Sequence, residues 1–141
     1  MKTNRTVIVQ CRLSSTRLPG KALKDLCGKT VLARVLETMH KVKADYYFVA
    51  TDDASYEQLL PVCKECFAGP LDDVLARFTQ LLDTIKTKTV IRATADNPFL
   101  FYEAAEESAV LFEEKNQKGH CDYLTYSGLP HGSGEEVFSA E

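Results

Sequence analysis

Hydrophobic positions along the chain follow two alternating patterns. Short β-branched and aromatic runs at residues 6–10, 46–51 and 89–94 are typical of buried strands. Between these runs, apolar residues recur three and four positions apart, as in Val31, Val35 and Met39, which indicates helices with one apolar face. The same spacing predicts further helices over residues 56–63, 74–85 and 102–112. Strands that alternate with helices predict an α/β fold, with a mostly parallel sheet and helices on both of its faces.

Turn-forming residues separate these elements. Asp52 and Asp53 follow the second strand, where a turn or helix-capping role is favoured, and Asp72 or Asp73 can cap the helix over 74–85. Residues 67–70 are interpreted as a short link, and Pro98 closes the strand over 89–94. A late strand is predicted over 121–126, then a turn-rich loop over 127–134 and the beginning of another strand at 136–139.

Length and composition predict a single globular domain. The chain has 141 residues, of which 45% are hydrophobic and 26% are charged, and we expect one domain over 1–141. A net charge of -3 argues against a general nucleic-acid-binding protein. The apolar runs are too short for a membrane span or a signal peptide, so we expect no membrane association and a cytoplasmic location.

The five cysteines do not have the pattern of a disulfide framework. Cys63 and Cys66 nevertheless have C-x-x-C spacing, which leaves a zinc or redox role as an alternative. A zinc site requires four ligands, and no second C-x-x-C or H-x-x-x-H follows. The competing interpretation places both cysteines along the buried edge of a helix.

The segment CRLSSTRLPGKAL, residues 11–23, is the strongest candidate binding site. It follows the first strand directly, where a parallel α/β protein binds ligands. It combines three cations with three hydroxyl groups: Arg12, Arg17 and Lys21, and Ser14, Ser15 and Thr16. Such a loop is suited to a di- or triphosphate, because backbone N–H groups and hydroxyls add to the positive charge. A solvated basic turn is the alternative.

Two common phosphate-binding motifs do not fit this segment. A Walker loop that ends at Gly20 and Lys21 would need glycine at 15 and serine or threonine at 22, where the chain has Ser15 and Ala22. A dinucleotide fingerprint needs three spaced glycines, and Gly20 is the one glycine in the segment. The segment therefore belongs to neither class.

Asp96 is the candidate metal ligand. It follows the strand over 89–94, so its carboxylate should lie at the same edge of the sheet as the basic loop. Mg²⁺ is bound by one or two carboxylates together with phosphate oxygens. By itself Asp96 is equally consistent with a turn before Asn97 and Pro98, but the neighbouring basic loop favours the metal-binding role.

Five blocks of the chain carry a family resemblance. They are RLSSTRLPGKAL, FVATDD, GPLDDVLARF, RATADNPFL and GEEVFS, which occur in this order across nearly the whole chain. Together they resemble the cytidylyltransferases that activate sugar acids, in particular the spore-coat polysaccharide biosynthesis type. The resemblance implies a nucleotide-diphosphosugar-transferase-like, Rossmann-like sandwich. It also implies that the chain lacks the carboxyl-terminal part of the family fold, where a second metal-binding aspartate and the dimerisation arm of the family lie.

The resemblance also implies roles for individual residues. Nucleotide binding is expected of these residues: Arg12, Ser14, Ser15, Thr16, Arg17, Lys21, Asp73 and Arg77. Arg17 and Lys21 are expected to act in catalysis and Asp96 to bind Mg²⁺, while His131 and Glu136 are expected at the sugar. Relatives usually have glycine in place of Ala95, and often an acidic residue in place of Gly134.

The resulting hypothesis is a Mg²⁺-dependent nucleotidyltransferase. It would transfer CMP from CTP to a sugar acid or a related sugar, release pyrophosphate and serve polysaccharide or surface-glycan synthesis, with a homodimer possible in the full-length family. The alternative is a truncated or diverged nucleotide-binding module without turnover.

Overall fold

The computed structural model describes residues 2–141, in which one mixed sheet is flanked by α-helices. The strands are β1 (Arg5–Gln10), β2 (Tyr46–Asp52), β3 (Cys66–Gly69), β4 (Thr89–Thr94), β5 (Tyr123–Thr125) and β6 (Glu136–Ser139). The helices are α1 (Val31–Met39), α2 (Asp53–Leu59), α3 (Val74–Leu82) and α4 (Tyr102–Asn116), and a short 3-10 turn covers Lys21–Leu23. The alternation predicted from the hydrophobic pattern is confirmed.

The order of the strands places β1 and β4 side by side. The sheet runs β3-β2-β1-β4-β6-β5, with β1 to β4 parallel to one another and β6 antiparallel to both β4 and β5. Val9 of β1 lies opposite Val49 of β2 on one side and Ala93 of β4 on the other. The loops that follow β1 and β4 therefore begin next to each other at the same edge of the sheet.

Helices cover both faces of the sheet, as the alternation predicts. Val7 and Val9 pack into a larger cluster with residues of α1 and α4, whereas Ile8, between them, packs into a smaller cluster with Phe78 and Leu81 of α3. Successive strand residues point to opposite faces, so β1 contributes to both cores. The buried apolar run over 6–10 is explained by this two-sided packing.

The segment that the sequence analysis interpreted as a link contains a strand. β3 pairs in parallel with Val49–Asp52 of β2 and so forms one edge of the sheet. An added Cβ on Gly69 would stand 2.8 Å from Cγ of Arg77, because α3 passes closely over the end of β3. Gly69, which suggested a link in the sequence, is required here because a side chain would collide with Arg77 of α3.

Helix α2 ends at Leu59, so Cys63 lies beyond the end of this helix. The competing interpretation, which placed Cys63 on the buried edge of a helix, is wrong.

Aspartates begin two of the helices. The Asp52 carboxylate accepts a hydrogen bond from the backbone N–H of Ser55 at 2.9 Å, and that of Asp73 accepts one from Ala76 at 2.8 Å. Both bonds satisfy donors that a helix leaves free at its first turn. The predicted capping roles are confirmed, and of Asp72 and Asp73 it is Asp73 that caps α3.

The helices of residues 2–141 are too short or too polar to cross a membrane. The longest, α4, has 15 residues and carries five glutamates along its length.

Candidate active site at the ends of β1 and β4

The basic loop after β1 folds back on itself. The backbone N–H of Gly20 donates to the carbonyl of Leu13 at 2.9 Å and closes the loop between them. Gly20 has φ +66°, a left-handed conformation that glycine adopts without strain. The chain then enters the 3-10 turn at Lys21, whose side chain returns over the end of the sheet.

Helix α2 holds the beginning of this loop. The backbone N–H of Leu13 donates to Oγ of Ser55 at 3.0 Å, and the Ser55 hydroxyl donates to Oδ2 of Asp52 at 2.8 Å. All three residues are buried. A buried, fully paired network of this kind is rigid, so the position of the loop is set by the first turn of α2.

Replacing Ser55 by alanine should destabilise the protein by about 1–3 kcal/mol, because the buried N–H of Leu13 would lose its acceptor. The free energy of unfolding in urea measures this effect. Thr79→Ala is the control, since it removes an exposed hydroxyl from α3 and should change stability by less than about 0.5 kcal/mol. Equal losses in the two variants would mean that Ser55 does not support the loop.

The loop and the end of β4 meet in one cleft. Nζ of Lys21 lies 2.8 Å from Oδ2 of Asp96, and the two side chains are 38% and 48% exposed. The cleft has a volume of about 220 Å³. Its lining consists of Gln10, Cys11, Arg12, Ser15, Arg17, Lys21, Ala22, Thr94, Ala95 and Asp96. The expected approach of the cationic loop to the Asp96 carboxylate is thus present in the structure.

The charges of the cleft are arranged for an anionic ligand. The hydrogen bond from the Lys21 ammonium lowers the pKa of Asp96, which therefore stays ionised. Among residues 2–141, Arg12 and Arg17 form no ion pair with a carboxylate, and both are exposed at the cleft. Their guanidinium groups are therefore available to phosphate oxygens.

Four of the predicted nucleotide-binding residues lie outside this lining. Ser14 and Thr16 are exposed on the loop. Asp73 caps α3, and the fully buried Arg77 donates to the carbonyl oxygens of Pro70 and Leu71, which lie 2.7 and 3.0 Å from its Nη2. A direct contact of Arg77 with a nucleotide does not fit this geometry, because its guanidinium is enclosed by the turn between β3 and α3. Asp73 and Arg77 fix the shape of that turn.

A second cleft adjoins the first and contains the two predicted sugar-binding residues. It has a volume of about 340 Å³, includes His131 and Glu136, and shares Thr94 with the first cleft. Gly132 has φ +82°, and a Cβ there would lie 3.1 Å from Oδ1 of Asn97, so the loop carrying His131 packs closely against the turn after β4.

Arg92 and Gln10 join the two clefts, and the sequence analysis missed both. The Arg92 guanidinium forms an ion pair with Glu136 and donates from Nη2 to Oε1 of Gln10 at 2.6 Å. The Tyr123 hydroxyl donates to the other oxygen of Glu136 at 3.0 Å. A signal was present in the sequence, since Arg92 is a charged residue between the apolar Ile91 and Ala93 of β4.

Glu135 is a buried carboxyl beside the second cleft. It is 2% exposed, and neither carboxyl oxygen has a hydrogen-bond partner among the described residues. Burial raises the pKa of Glu135 to about 6, because the charged form loses its hydration.

Glu135→Gln should therefore change how stability depends on pH. The Glu135 carboxyl group binds its proton more tightly in the folded protein than in the unfolded chain. The resulting contribution to the free energy of unfolding is fully present below pH 4.5 and is lost as the pH rises through about 6. Glutamine removes that loss, and the variant should gain up to about 2 kcal/mol relative to wild type between pH 4.5 and pH 8. Urea unfolding at both pH values measures the gain. Glu107→Gln, on the exposed side of α4, is the control, and an equal gain there would contradict the assignment.

The Asp96 carboxylate fits a divalent cation that is shared with a ligand. No three His, Cys, Asp or Glu side chains within residues 2–141 are grouped so that they could hold a metal by themselves. One exposed carboxylate beside cationic side chains instead suits an ion that takes most of its ligands from phosphate oxygens and water, as Mg²⁺ does.

Comparison with known families identifies the chain. The sequence model of the family described as Cytidylyltransferase matches residues 6–141. The chain belongs to the cytidylyltransferase family. One relative in the curated proteins is the spore coat polysaccharide biosynthesis protein SpsF of Bacillus subtilis, to which this chain is 32% identical over 146 residues. That alignment includes 94% of this chain and 58% of SpsF, so the chain spans little more than half of that relative.

Solved structures agree with this fold. A cytidylyltransferase from Leptospira borgpetersenii superposes with a TM-score of 0.84 and 24% identity, covering 97% of this chain and 60% of the other. A CMP:2-keto-3-deoxy-manno-octonic acid synthetase, solved in complex with CTP, superposes with a TM-score of 0.71 and 23% identity. It covers 86% of this chain and 51% of the other. The expected nucleotidyltransferase fold is confirmed.

Proposed function

We propose that this chain binds CTP and that the protein transfers CMP from it to a hydroxyl group of a sugar acid or a related sugar, releasing pyrophosphate. The observation that carries the proposal is the contact between Lys21 and Asp96 at 2.8 Å, in a cleft also lined by Arg12 and Arg17. Membership of the cytidylyltransferase family supports the choice of CTP.

The triphosphate lies along the loop after β1. Arg12, Arg17 and Lys21 neutralise its oxygens, and backbone N–H groups of the loop add donors. At an effective dielectric constant of about 20, a cation about 4 Å from one phosphate charge gains roughly 4 kcal/mol of Coulomb energy. The cost of desolvating both groups offsets part of this gain. Lys21 and Arg17 also face the charge that accumulates on the leaving pyrophosphate, which makes them the residues for transition-state stabilisation.

The acceptor occupies the second cleft, beside Arg92, His131 and Glu136. Its hydroxyl oxygen forms a bond to the α-phosphorus while the bond to the β-phosphate oxygen breaks, and its proton passes to solvent. Because the two clefts meet at Thr94, the acceptor can stand next to the α-phosphate. Positioning of the two substrates supplies much of the rate in such a transfer.

Asp96 is the residue that would hold Mg²⁺. When bound, the ion would neutralise phosphate charge and orient the triphosphate. Asp96 would hold the ion, while Arg12, Arg17 and Lys21 hold the phosphates. The relative SpsF, a spore coat polysaccharide biosynthesis protein, supports a role in surface-glycan formation, with spore-coat polysaccharide as one destination. A cytoplasmic location and a homodimer of the full-length protein are further parts of the proposal.

Calorimetric titration with CTP, CDP and ATP, each with Mg²⁺, tests the proposal, followed by a coupled pyrophosphate assay with CTP and 3-deoxy-manno-octulosonate as acceptor. We expect CTP to bind most tightly of the three. Binding without pyrophosphate release would favour the alternative of a nucleotide-binding module, and absence of CTP binding would contradict the proposal.

A further inference from the structure

Gln10, the last residue of β1, lies at the point where the two clefts meet. Its register partner on β4 is Thr94, which lines both clefts, and Gln10 itself lines the first. In the proposed transfer of CMP the nucleotide occupies the first cleft and the acceptor the second. The Gln10 side chain therefore lies beside the place where the α-phosphate and the acceptor hydroxyl come together.

Arg92 fixes the orientation of the Gln10 amide. Nε and Nη2 of Arg92 both donate to Oε1 of Gln10, at 3.1 and 2.6 Å. Because a guanidinium group can only donate, the amide oxygen has to face Arg92 and the amide nitrogen has to point away from it. The backbone of Gln10 is fixed as well, since its carbonyl oxygen accepts from the N–H of Ala95 at 2.9 Å.

The amide nitrogen of Gln10 is a donor without a partner in the chain. Nε2 forms no hydrogen bond with residues 2–141, and it is not one of their buried unpaired atoms, so it is accessible from the first cleft. Its N–H groups suit an oxygen of a ligand in that cleft.

The charge of Arg92 is balanced on its other side. Its Nη1 forms the ion pair with Glu136, and the Tyr123 hydroxyl donates to the second oxygen of that carboxylate at 3.0 Å. The hydrogen-bonded chain from Tyr123 through Glu136 and Arg92 to Gln10 is thus held at both ends, which makes it rigid. Arg92 therefore acts on the first cleft through the Gln10 amide.

We propose that Gln10 is a catalytic residue, which donates from its amide nitrogen to a non-bridging oxygen of the α-phosphate, and that Arg92 is the residue that positions it. This inference rests on the proposed transfer of CMP. As the acceptor oxygen approaches phosphorus and pyrophosphate departs, negative charge shifts among the phosphate oxygens. A donor that is already oriented stabilises this charge without reorganisation.

Gln10→Met tests the role of the donor, because it removes the amide and keeps a side chain of similar length. We expect kcat for pyrophosphate release from CTP to fall about a hundredfold, the scale of losing one oriented donor. The KM for CTP should change less than about threefold, since the contact is strongest in the transition state. Gln80→Met, on the exposed side of α3, is the matched control and should keep the wild-type kcat.

Arg92→Lys tests the positioning role. Lysine keeps a cation for Glu136 but lacks the planar pair of donors that holds the Gln10 amide. Alone, this variant should lower kcat about tenfold, and in the Gln10→Met background it should lower kcat no further, because there is no amide left to orient. Equal losses in both backgrounds would contradict the positioning role.

NMR of the Gln10 side-chain amide gives a measurement that does not need turnover, with the signal identified by its absence in Gln10→Met. Saturating CMP, which carries only the α-phosphate, should shift this signal, and cytidine should not. An unshifted signal with bound CMP, an equal shift with cytidine, or an unchanged kcat in Gln10→Met would each overturn the inference and leave the proposed function standing. Absence of CTP binding by wild type would instead contradict the proposed function itself.

Discussion

Replacing Lys21 by alanine should slow pyrophosphate release from CTP at least about a hundredfold, the scale of losing one preorganised electrostatic contact. The triphosphate and the leaving pyrophosphate lose the Lys21 ammonium group, which lies 2.8 Å from Asp96 in the cleft. The coupled pyrophosphate assay at saturating Mg²⁺ measures the rate.

Lys24→Ala is the control for this experiment. Lys24 carries the same charge three residues further on, is exposed and does not line the cleft. The control should keep the wild-type rate within about threefold, since an exposed charge outside the site is largely screened. If Lys21→Ala kept full activity, or if both variants lost equally, Lys21 would have no specific role.

Replacing Arg5 by methionine should destabilise the protein by about 3 kcal/mol, at the lower end of the cost of breaking a buried ion pair. Arg5 is 7% exposed by its side chain, and its Nε and Nη1 lie 2.7 Å from Glu113 and 2.6 Å from Glu106 of α4. The hydrogen bond to Glu113 raises the pKa of Arg5, so its charge is permanent. Methionine would leave two partly buried carboxylates facing each other. Urea unfolding at neutral pH measures the loss.

A triple variant separates the loss of charge from the loss of packing at Arg5, and an exposed ion pair serves as the control. Arg5→Met combined with Glu106→Gln and Glu113→Gln should recover most of the lost stability, because no unpaired charge remains. Lys29→Ala breaks the exposed pair with Glu37 and should leave stability close to that of wild type, because solvent screens the pair. If the triple variant were no more stable than Arg5→Met, the cost would come from packing and not from charge.

The sequence was sufficient to predict the alternation of strands and helices, since burial on both faces of the sheet leaves short, mainly apolar and β-branched runs in β1, β2 and β4. It was not sufficient for β3, which is four residues long and ends at Gly69 because α3 passes too closely for a side chain. The antiparallel direction of β6 could not be predicted from the sequence either, because an apolar strand has the same hydrophobic pattern in either orientation. Strand order follows from packing between distant segments, which no local pattern records.

For the candidate site, local chemistry was the useful guide. Arg12, Arg17, Lys21 and Asp96 have residue types and positions that suit a phosphate and its metal, and the cleft brings them together. Arg77 was assigned by resemblance alone, and its environment shows an arginine enclosed by backbone carbonyls. Arg92 was missed because its role depends on Gln10 and Glu136, which lie 82 and 44 residues away along the chain.

The claim that Lys21 and Asp96 converge on a metal-chelated triphosphate is tested most directly by CTP affinity with and without Mg²⁺, in wild type and in Asp96→Asn. Mg²⁺ should tighten CTP binding at least about tenfold in wild type and less than about threefold in Asp96→Asn, because the variant has lost the metal's protein ligand. Without Mg²⁺ the variant should bind CTP more tightly than wild type, since Lys21 is released to the phosphates. Equal Mg²⁺ effects in both proteins, with no gain for the metal-free variant, would contradict the account.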